Sequence, residues 1–238
     1  MTWVAGVDGC KGGWFAVFFE SDTKECRIER FQHLPDVLNS PPSAQVIAID
    51  IPIGLLDRAE PGGRACDREA RKLLGQPRAR SVFSPPVRQA LQYDNNYRKA
   101  LLENRRSSPH SVGISKQAHA LFSKIREANA LPESELKTRV FEVHPEVCFF
   151  QMNDCRPLRH SKKAQQQAGI KERRLVLAKT AFGKVASSVL DDRLQGVSQD
   201  DALDAVAACW TAFTNSQSRT NPKVWGIAHD LALAFRWR

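Results

Sequence analysis

Apolar runs near the N-terminus alternate with short polar or glycine-rich breaks and predict a set of β-strands. Residues 4–7 and 14–19 are apolar with a glycine-rich break between them, which is typical of two strands joined by a hairpin turn. Residues 25–31 alternate polar and apolar and predict a third strand near a sheet edge, whereas 46–51 are apolar on both faces and predict a central strand. Residues 139–144 return to the strand pattern, which Pro145 ends.

Helical periodicity dominates most of the remaining chain. The clearest helix is 199–214, where Ser198 is a candidate N-cap with an acid three residues on and apolar side chains recur on one face. Residues 55–136 are rich in charge, mostly helical and not bounded by flexible linkers, so we interpret them as an insertion between strands 4 and 5 of a single domain spanning 1–238. Further helices are predicted at 66–74, 97–103, 115–131 and 171–182, the last capped by Gly183, and residues 34–39 fit a short helix or a turn.

Two carboxylates interrupt the apolar strands. Asp8 follows the first apolar run, and Asp50 lies near the end of the central strand. If these strands are neighbours in register, period-two counting places both carboxylates on one face of the sheet. An ionised carboxylate is costly to bury unless a positive partner compensates it, and a divalent cation is one such partner. The alternative interpretation makes each of them a turn residue.

Three further acids could complete a metal site with Asp8 and Asp50. Glu142 lies in the last predicted strand, in an alternation that also fits an exposed strand face. Asp201 lies in the first turn of the final helix, where the helix dipole alone favours an acid. Asp204 lies one turn deeper, where capping does not account for it. An all-oxygen set of this kind suits Mg²⁺ or Mn²⁺, and a two-ion site is compatible with it.

Charge and composition favour an anionic partner and an intracellular location. The formal net charge is +9, and residues 156–184 carry nine Lys and Arg against one acid, which favours nucleic acid as a partner. The six cysteines form no CxxC pair, as expected for reduced thiols in the cytoplasm. No leader and no apolar run of about 20 residues occurs, so we expect no membrane association.

Several motifs in fixed order carry a family resemblance: GVDGCKGGW, IAIDIPIGL, FEVHPE and DDALDAVAACW, together with RACDREARKLLG, SVFSPP and GISKQAHAL. The chain resembles the predicted-nuclease family called domain of unknown function 429, which is assigned to the RNase H-like superfamily. The resemblance implies an α/β fold with a mixed five-stranded sheet in the order 3-2-1-4-5, strand 2 antiparallel, flanked by helices. It also implies that Asp8 and Asp50 lie side by side, and that Asp201 and Asp204 are similar to the acids on the closing helix of Holliday-junction resolvases. Dimers are common among such relatives, so a homodimer is a candidate assembly.

We therefore predict a metal-dependent nuclease that hydrolyses phosphodiester bonds with Asp8, Asp50, Asp201 and Asp204, and with Glu142 as a further candidate ligand. One alternative is a nucleotide-binding phosphotransferase related to acetate and sugar kinases, in which the glycine-rich hairpin binds phosphates. Another is a nucleic-acid-binding protein without catalytic activity.

Basic and amide side chains supply candidate substrate contacts in the hairpin, the insertion and the basic segment. In the insertion, the competing interpretation is structural, since Asp67 and Arg71 have the i,i+4 spacing of a salt bridge. The candidates are Lys11, Arg64, Arg71, Lys116, Gln117, Lys163, Arg173 and Arg174.

Overall fold

The computed structural model describes residues 2–161, 166–192 and 195–220. The described residues form two compact units, one made of residues up to 50 and from 132 to 220, the other of residues 51–131. The first unit contains the sheet, and the second contains the helices that the sequence assigns to an insertion. The description of 1–238 as a single domain stays a prediction.

A five-stranded mixed sheet in the order β3-β2-β1-β4-β5 forms the centre of the first unit. β1 and β2 are antiparallel, as are β2 and β3, whereas β4 runs parallel to both β1 and β5. The predicted strand order and the antiparallel direction of strand 2 are confirmed. The strands are β1 (Trp3–Cys10), β2 (Gly13–Glu20), β3 (Cys26–Phe31), β4 (Val46–Asp50) and β5 (Val140–Glu142).

Ten α-helices occur in the part of the chain that the structure describes, and none is long and apolar enough to cross a membrane. Two short 3₁₀ helices, Arg78–Ser81 and Arg88–Tyr93, add to the second unit. The α-helices are α1 (Leu34–Asn39), α2 (Ala65–Leu74), α3 (Tyr97–Arg106), α4 (Lys116–Ala120), α5 (Phe122–Asn129), α6 (Glu133–Thr138), α7 (Pro145–Met152), α8 (Gln166–Ala178), α9 (Gly183–Asp191) and α10 (Gln199–Thr220).

Several element boundaries differ from the sequence-based expectations. The helix predicted over 115–131 is divided at Leu121 into α4 and α5. Gly183 begins α9 instead of capping the preceding helix, which ends at Ala178. β5 stops at Glu142, because His144 already serves as the N-cap of α7 and Pro145 takes the first helical position, where a proline is well tolerated.

One face of the sheet packs against α7, α8, α9 and α10 and forms the main hydrophobic core. Side chains from alternate positions of β2, among them Phe15, Val17 and Phe19, point into this core. At the tip of the β1–β2 hairpin, Gly12 has a φ of +74°, a left-handed conformation that glycine adopts without steric cost. The turn of the hairpin therefore lies shortly after Asp8, beyond the last strand pair, Cys10 and Gly13.

Glu20 fixes the connection between β2 and β3. Its carboxylate accepts hydrogen bonds from the backbone N–H groups of Thr2 at 3.0 Å, Asp22 at 2.8 Å and Thr23 at 2.5 Å, and from the Thr23 hydroxyl at 2.9 Å. The bond from the Thr23 amide contributes most to lowering the pKa of Glu20 to about 2, against the opposing effect of burial. The ionised form of Glu20 is thus the form that the fold stabilises.

We expect the stabilisation by Glu20 to depend on pH. Because its pKa falls from 4.5 to about 2 on folding, the contribution is present above pH 4.5 and is lost as the pH falls towards 2. Glu20→Gln should therefore lower the free energy of unfolding clearly at neutral pH and much less at the acid end of this window. Urea unfolding of both proteins across the window measures the difference. Glu69→Gln, an exposed position on α2, is the matched control and should show no such trend.

Candidate metal centre

β1 and β4 place Asp8 and Asp50 next to each other. The two strands are parallel and hydrogen-bonded neighbours, and their register pairs Asp8 directly with Asp50. Side chains at paired positions of adjacent strands point to the same face, and the strands lie about 4.8 Å apart. Both carboxylates therefore project from one face at the carboxyl end of these strands.

The N-terminal part of α10 carries Asp204 to the same face. The helix crosses β1 at Gly6, where an added Cβ would lie 2.0 Å from the backbone nitrogen of Cys209 and 2.2 Å from the carbonyl oxygen of Ala205. Only a residue without a side chain permits so close an approach of a helix backbone to a strand. Asp204 is one residue before Ala205, so this contact fixes its distance from Asp8.

The carboxylates of Asp8, Asp50 and Asp204 converge on one point. Each offers an oxygen, and these three oxygens all lie within 4.8 Å of one another. Asp8 is 8% exposed and Asp204 is 4% exposed, whereas Asp50 is partly exposed. The backbone N–H of Gly9 donates a hydrogen bond of 2.6 Å to Oδ1 of Asp8 and orients that carboxylate. Three anions this close repel one another strongly in a largely buried place, and a divalent cation offsets that repulsion.

The negative charge of this cluster affects the pKa of Cys148 on α7. Burial raises the pKa of its thiol to about 12, and the charges of Asp50 and Asp204 add to the shift. The thiol does not belong to the converging group in the described residues, which consists of carboxylates. Oxygen-only ligands favour hard cations such as Mg²⁺ and Mn²⁺.

Two predicted ligands do not join the cluster. Asp201 forms a capping box with Ser198: its backbone N–H donates to the Ser198 hydroxyl at 3.1 Å, and its carboxylate accepts from the Ser198 N–H at 3.2 Å. Glu142 is paired with Ile49 in the β4–β5 register. Since successive residues of a strand alternate faces, Glu142 points to the face opposite Asp50. The five-acid set predicted from the sequence is thereby corrected to three acids.

In the second unit, Arg64 and Arg71 have structural partners. Arg64 is 5% exposed and binds the carboxylate of Asp67 through Nη2 at 2.7 Å and Nε at 3.1 Å, at the start of α2. Arg71 donates from Nε to the carbonyl oxygen of Val82 and from Nη2 to the hydroxyl of Ser84, both at 2.9 Å. The expected bridge between Asp67 and Arg71 is wrong, because Arg64 occupies the Asp67 carboxylate.

Arg173 is also a structural residue. It is 0% exposed, forms an ion pair with Glu146 between α7 and α8, and donates to the carbonyl oxygen of Gly169 at 3.2 Å. Its guanidinium lies 5.4 Å from the centre of the Phe149 ring. A guanidinium without access to solvent does not reach a nucleic acid on the surface, so its predicted role in substrate contact is corrected.

The remaining predicted contacts divide by unit and by exposure. Lys11 at the tip of the hairpin and Arg174 on α8 are exposed in the first unit, whereas Lys116 and Gln117 are exposed at the start of the short helix α4 in the second. Lys163 lies outside the described residues. Among the described residues of the unit that carries the carboxylates, Lys11 and Arg174 are therefore the predicted cations that remain available to an anion.

The fold and this site define a class of protein: an α/β protein with a mixed sheet in the order 3-2-1-4-5 and three carboxylates converging from two parallel strands and a covering helix. The chain belongs to the family described as Protein of unknown function (DUF429), whose model matches residues 6–223. The match includes all three carboxylates. Searches of curated proteins and of solved structures gave no match.

Proposed function

We propose that the protein is a metal-dependent nuclease in which Asp8, Asp50 and Asp204 hold Mg²⁺ or Mn²⁺. The observation that carries the proposal is the convergence of three carboxylate oxygens within 4.8 Å of one another. As part of the proposal we assign the fold to the RNase H-like superfamily, which the 3-2-1-4-5 strand order supports. Hydrolysis of phosphodiester bonds is the chemistry that such a carboxylate set serves best.

The three acids have separable roles in this proposal. Asp8 and Asp50 project in register from adjacent strands and bind cations from the sheet side, and Asp204 binds from the helix side. Divalent cations bound there would supply Lewis-acid stabilisation of the phosphate and lower the pKa of water, and the proposal includes a two-ion site. The Gly9 amide holds the Asp8 carboxylate in its orientation before any ligand arrives.

The surface charge of the chain supports an anionic polymer as substrate. The formal net charge is +9, and Lys11, Lys171 and Arg174 are exposed cations in the unit that carries the acids. Such cations attract a phosphate backbone through counterion release, and the resulting binding weakens with salt. We therefore include nucleic acid as the substrate class in the proposal.

Metal binding should stabilise the folded protein measurably. At a Mn²⁺ concentration about a hundredfold above the Kd, linkage raises the free energy of unfolding by about 2.7 kcal/mol, a Tm increase of about 5–10 °C for a chain of this size. Asp8→Asn should remove most of this increase, since it deletes one of the converging carboxylates. Asp36→Asn, which changes an exposed aspartate of α1, should keep it. An equal Tm increase in all three proteins would place the bound metal elsewhere.

A cleavage assay tests the function itself. The protein is incubated with labelled single- and double-stranded DNA, RNA, an RNA–DNA hybrid and a four-way junction, with Mn²⁺, with Mg²⁺ or with a chelator. Cleavage of at least one substrate that the chelator abolishes supports the proposal. Salt-sensitive binding without any turnover favours the non-catalytic alternative, and tight ATP binding without cleavage favours the phosphotransferase.

A further inference from the structure

A cavity of about 320 Å³ lies beside β2, between the end of α9 and the start of α10. Its apolar wall includes Phe15, Val189 and Ala202, and its polar rim includes Asp192 and Gln199. A volume of this size lies at the lower end of the range for small-molecule sites, which combine apolar walls with a few polar groups.

The cavity shares two of its structural elements with the candidate metal centre. Phe15 is the direct cross-strand partner of Asp8 in the β1–β2 register, so both side chains point to the same face with Cβ atoms about 5 Å apart. Ala202 precedes Asp204 by two residues on α10, so a turn of about 200° around the helix axis separates their side chains. A ligand in the cavity therefore contacts Phe15, the residue that is paired with Asp8.

Positive charge borders the loop that forms one side of the cavity. The backbone N–H of Lys11 donates to the carbonyl oxygen of Gly196 at 3.2 Å, and Nη2 of Arg30 donates to the carbonyl oxygen of Lys11 at 2.7 Å. Both side chains are exposed, and Val197, next to Gly196, lines the cavity. A cavity with an apolar wall and a polar rim, bordered by cations, suits a ligand with a flat apolar part and an anionic part.

We propose that this cavity binds the nucleobase of a nucleotide whose phosphate lies at Asp8, Asp50 and Asp204. The base would lie against the apolar wall, and its polar edge would face the amide of Gln199 and the carboxylate of Asp192, which offer both a donor and acceptors. The proposal rests on the proposed function for the position of the phosphate. The fit of the base depends only on the cavity.

Nucleotide titrations followed by NMR test the proposal. The ¹⁵N-labelled protein is titrated with the four common ribonucleoside 5′-monophosphates and with ribose 5-phosphate, in Ca²⁺. We expect at least one nucleotide to bind about tenfold more tightly than ribose 5-phosphate, because it buries apolar ring surface and forms hydrogen bonds. The amide signals of Phe15, Val197, Gln199 and Ala202 should shift with that nucleotide only.

Two variants distinguish binding of the base from binding of the phosphate. Gln199→Ala should lower the affinity for the nucleotide by about three- to tenfold, since it removes one hydrogen-bonding group. The affinity for ribose 5-phosphate should not change. Lys11→Ala should weaken both ligands by the same factor. Gln195→Ala, an exposed change outside the cavity, is the matched control and should alter neither.

The possible outcomes distinguish this proposal from the nuclease proposal. Equal affinities for ribose 5-phosphate and all four nucleotides, or signal shifts confined to residues outside the cavity, would overturn the base site even if the protein cleaves nucleic acid. Base-dependent binding at the cavity without cleavage of any substrate would support the base site and count against the nuclease.

Discussion

Asp8→Asn is expected to lower the metal-dependent cleavage rate by at least about a hundredfold while the protein stays folded. Loss of a group that merely orients a metal ligand already costs about 10- to 100-fold in affinity or activity, and Asp8 is placed to bind the metal directly. Asparagine keeps the shape of the side chain and one oxygen but removes the charge. Initial rates at saturating Mn²⁺, with circular dichroism to verify folding, measure the effect.

Two further aspartates give this experiment its controls. Asp36→Asn changes an exposed residue of α1 and should leave the rate unchanged. Asp201 lies one helical turn before Asp204 and forms the capping box with Ser198. Asp201→Asn should therefore lower the cleavage rate much less than Asp8→Asn. The ranking of Asp8 far above Asp201 is specific to the three-acid site. Equal cleavage by wild type and Asp8→Asn would refute the nuclease proposal.

The sheet and two of its acids could be predicted from local patterns. Strands 1 and 2 appear as apolar runs around a glycine-rich turn, and the central strand as a run that is apolar on both faces. The interruption of such a run by Asp8 or Asp50 is visible because a buried carboxylate is costly. Only pairing in register brings the two together, and the structure shows that register.

The face of the sheet on which Glu142 lies could not be predicted, because it depends on strand register. A shift by one residue moves every side chain of a strand to the other face, and a strand of three residues carries too little pattern to fix that shift. The β4–β5 pairing places Glu142 beside Ile49. The acidic character of Glu142 is therefore a weak indicator of a metal ligand. Asp204, deep in a helix rich in alanine, is a stronger indicator.

The burial of Arg64 and Arg173 could not be predicted for a different reason. A lysine- and arginine-rich segment is normally solvated, and nothing local shows that one of its members has a buried partner. Arg173 pairs with Glu146, which lies 27 positions earlier in the chain on another helix. Local spacing pairs Asp67 with Arg71, whereas Asp67 pairs with Arg64 in the structure, because i,i+3 and i,i+4 spacings are equally open to an acid.

Gly6→Ala is expected to destabilise the protein by more than about 3 kcal/mol, the upper part of the range for overpacking a core. The added Cβ would lie 2.0 Å from the nitrogen of Cys209 and 2.2 Å from the oxygen of Ala205, and both are backbone atoms of α10 that no side-chain rotation can move away. Relief requires displacement of the whole helix. Thermal and urea unfolding measure the loss.

The same displacement couples the core to the site. Asp204 adjoins Ala205, so a helix pushed away from β1 carries this carboxylate away from Asp8 and Asp50. A misplacement of about 1 Å can cost about a hundredfold in rate, so the folded fraction of Gly6→Ala should also lose Mn²⁺ stabilisation and cleavage. Gly113→Ala is the matched control: its nearest atom is 3.6 Å away, and its stability should change by less than about 0.5 kcal/mol. If Gly6→Ala behaves like Gly113→Ala, α10 does not pack on β1 at this distance, and the geometry that brings Asp204 to the other two acids is wrong.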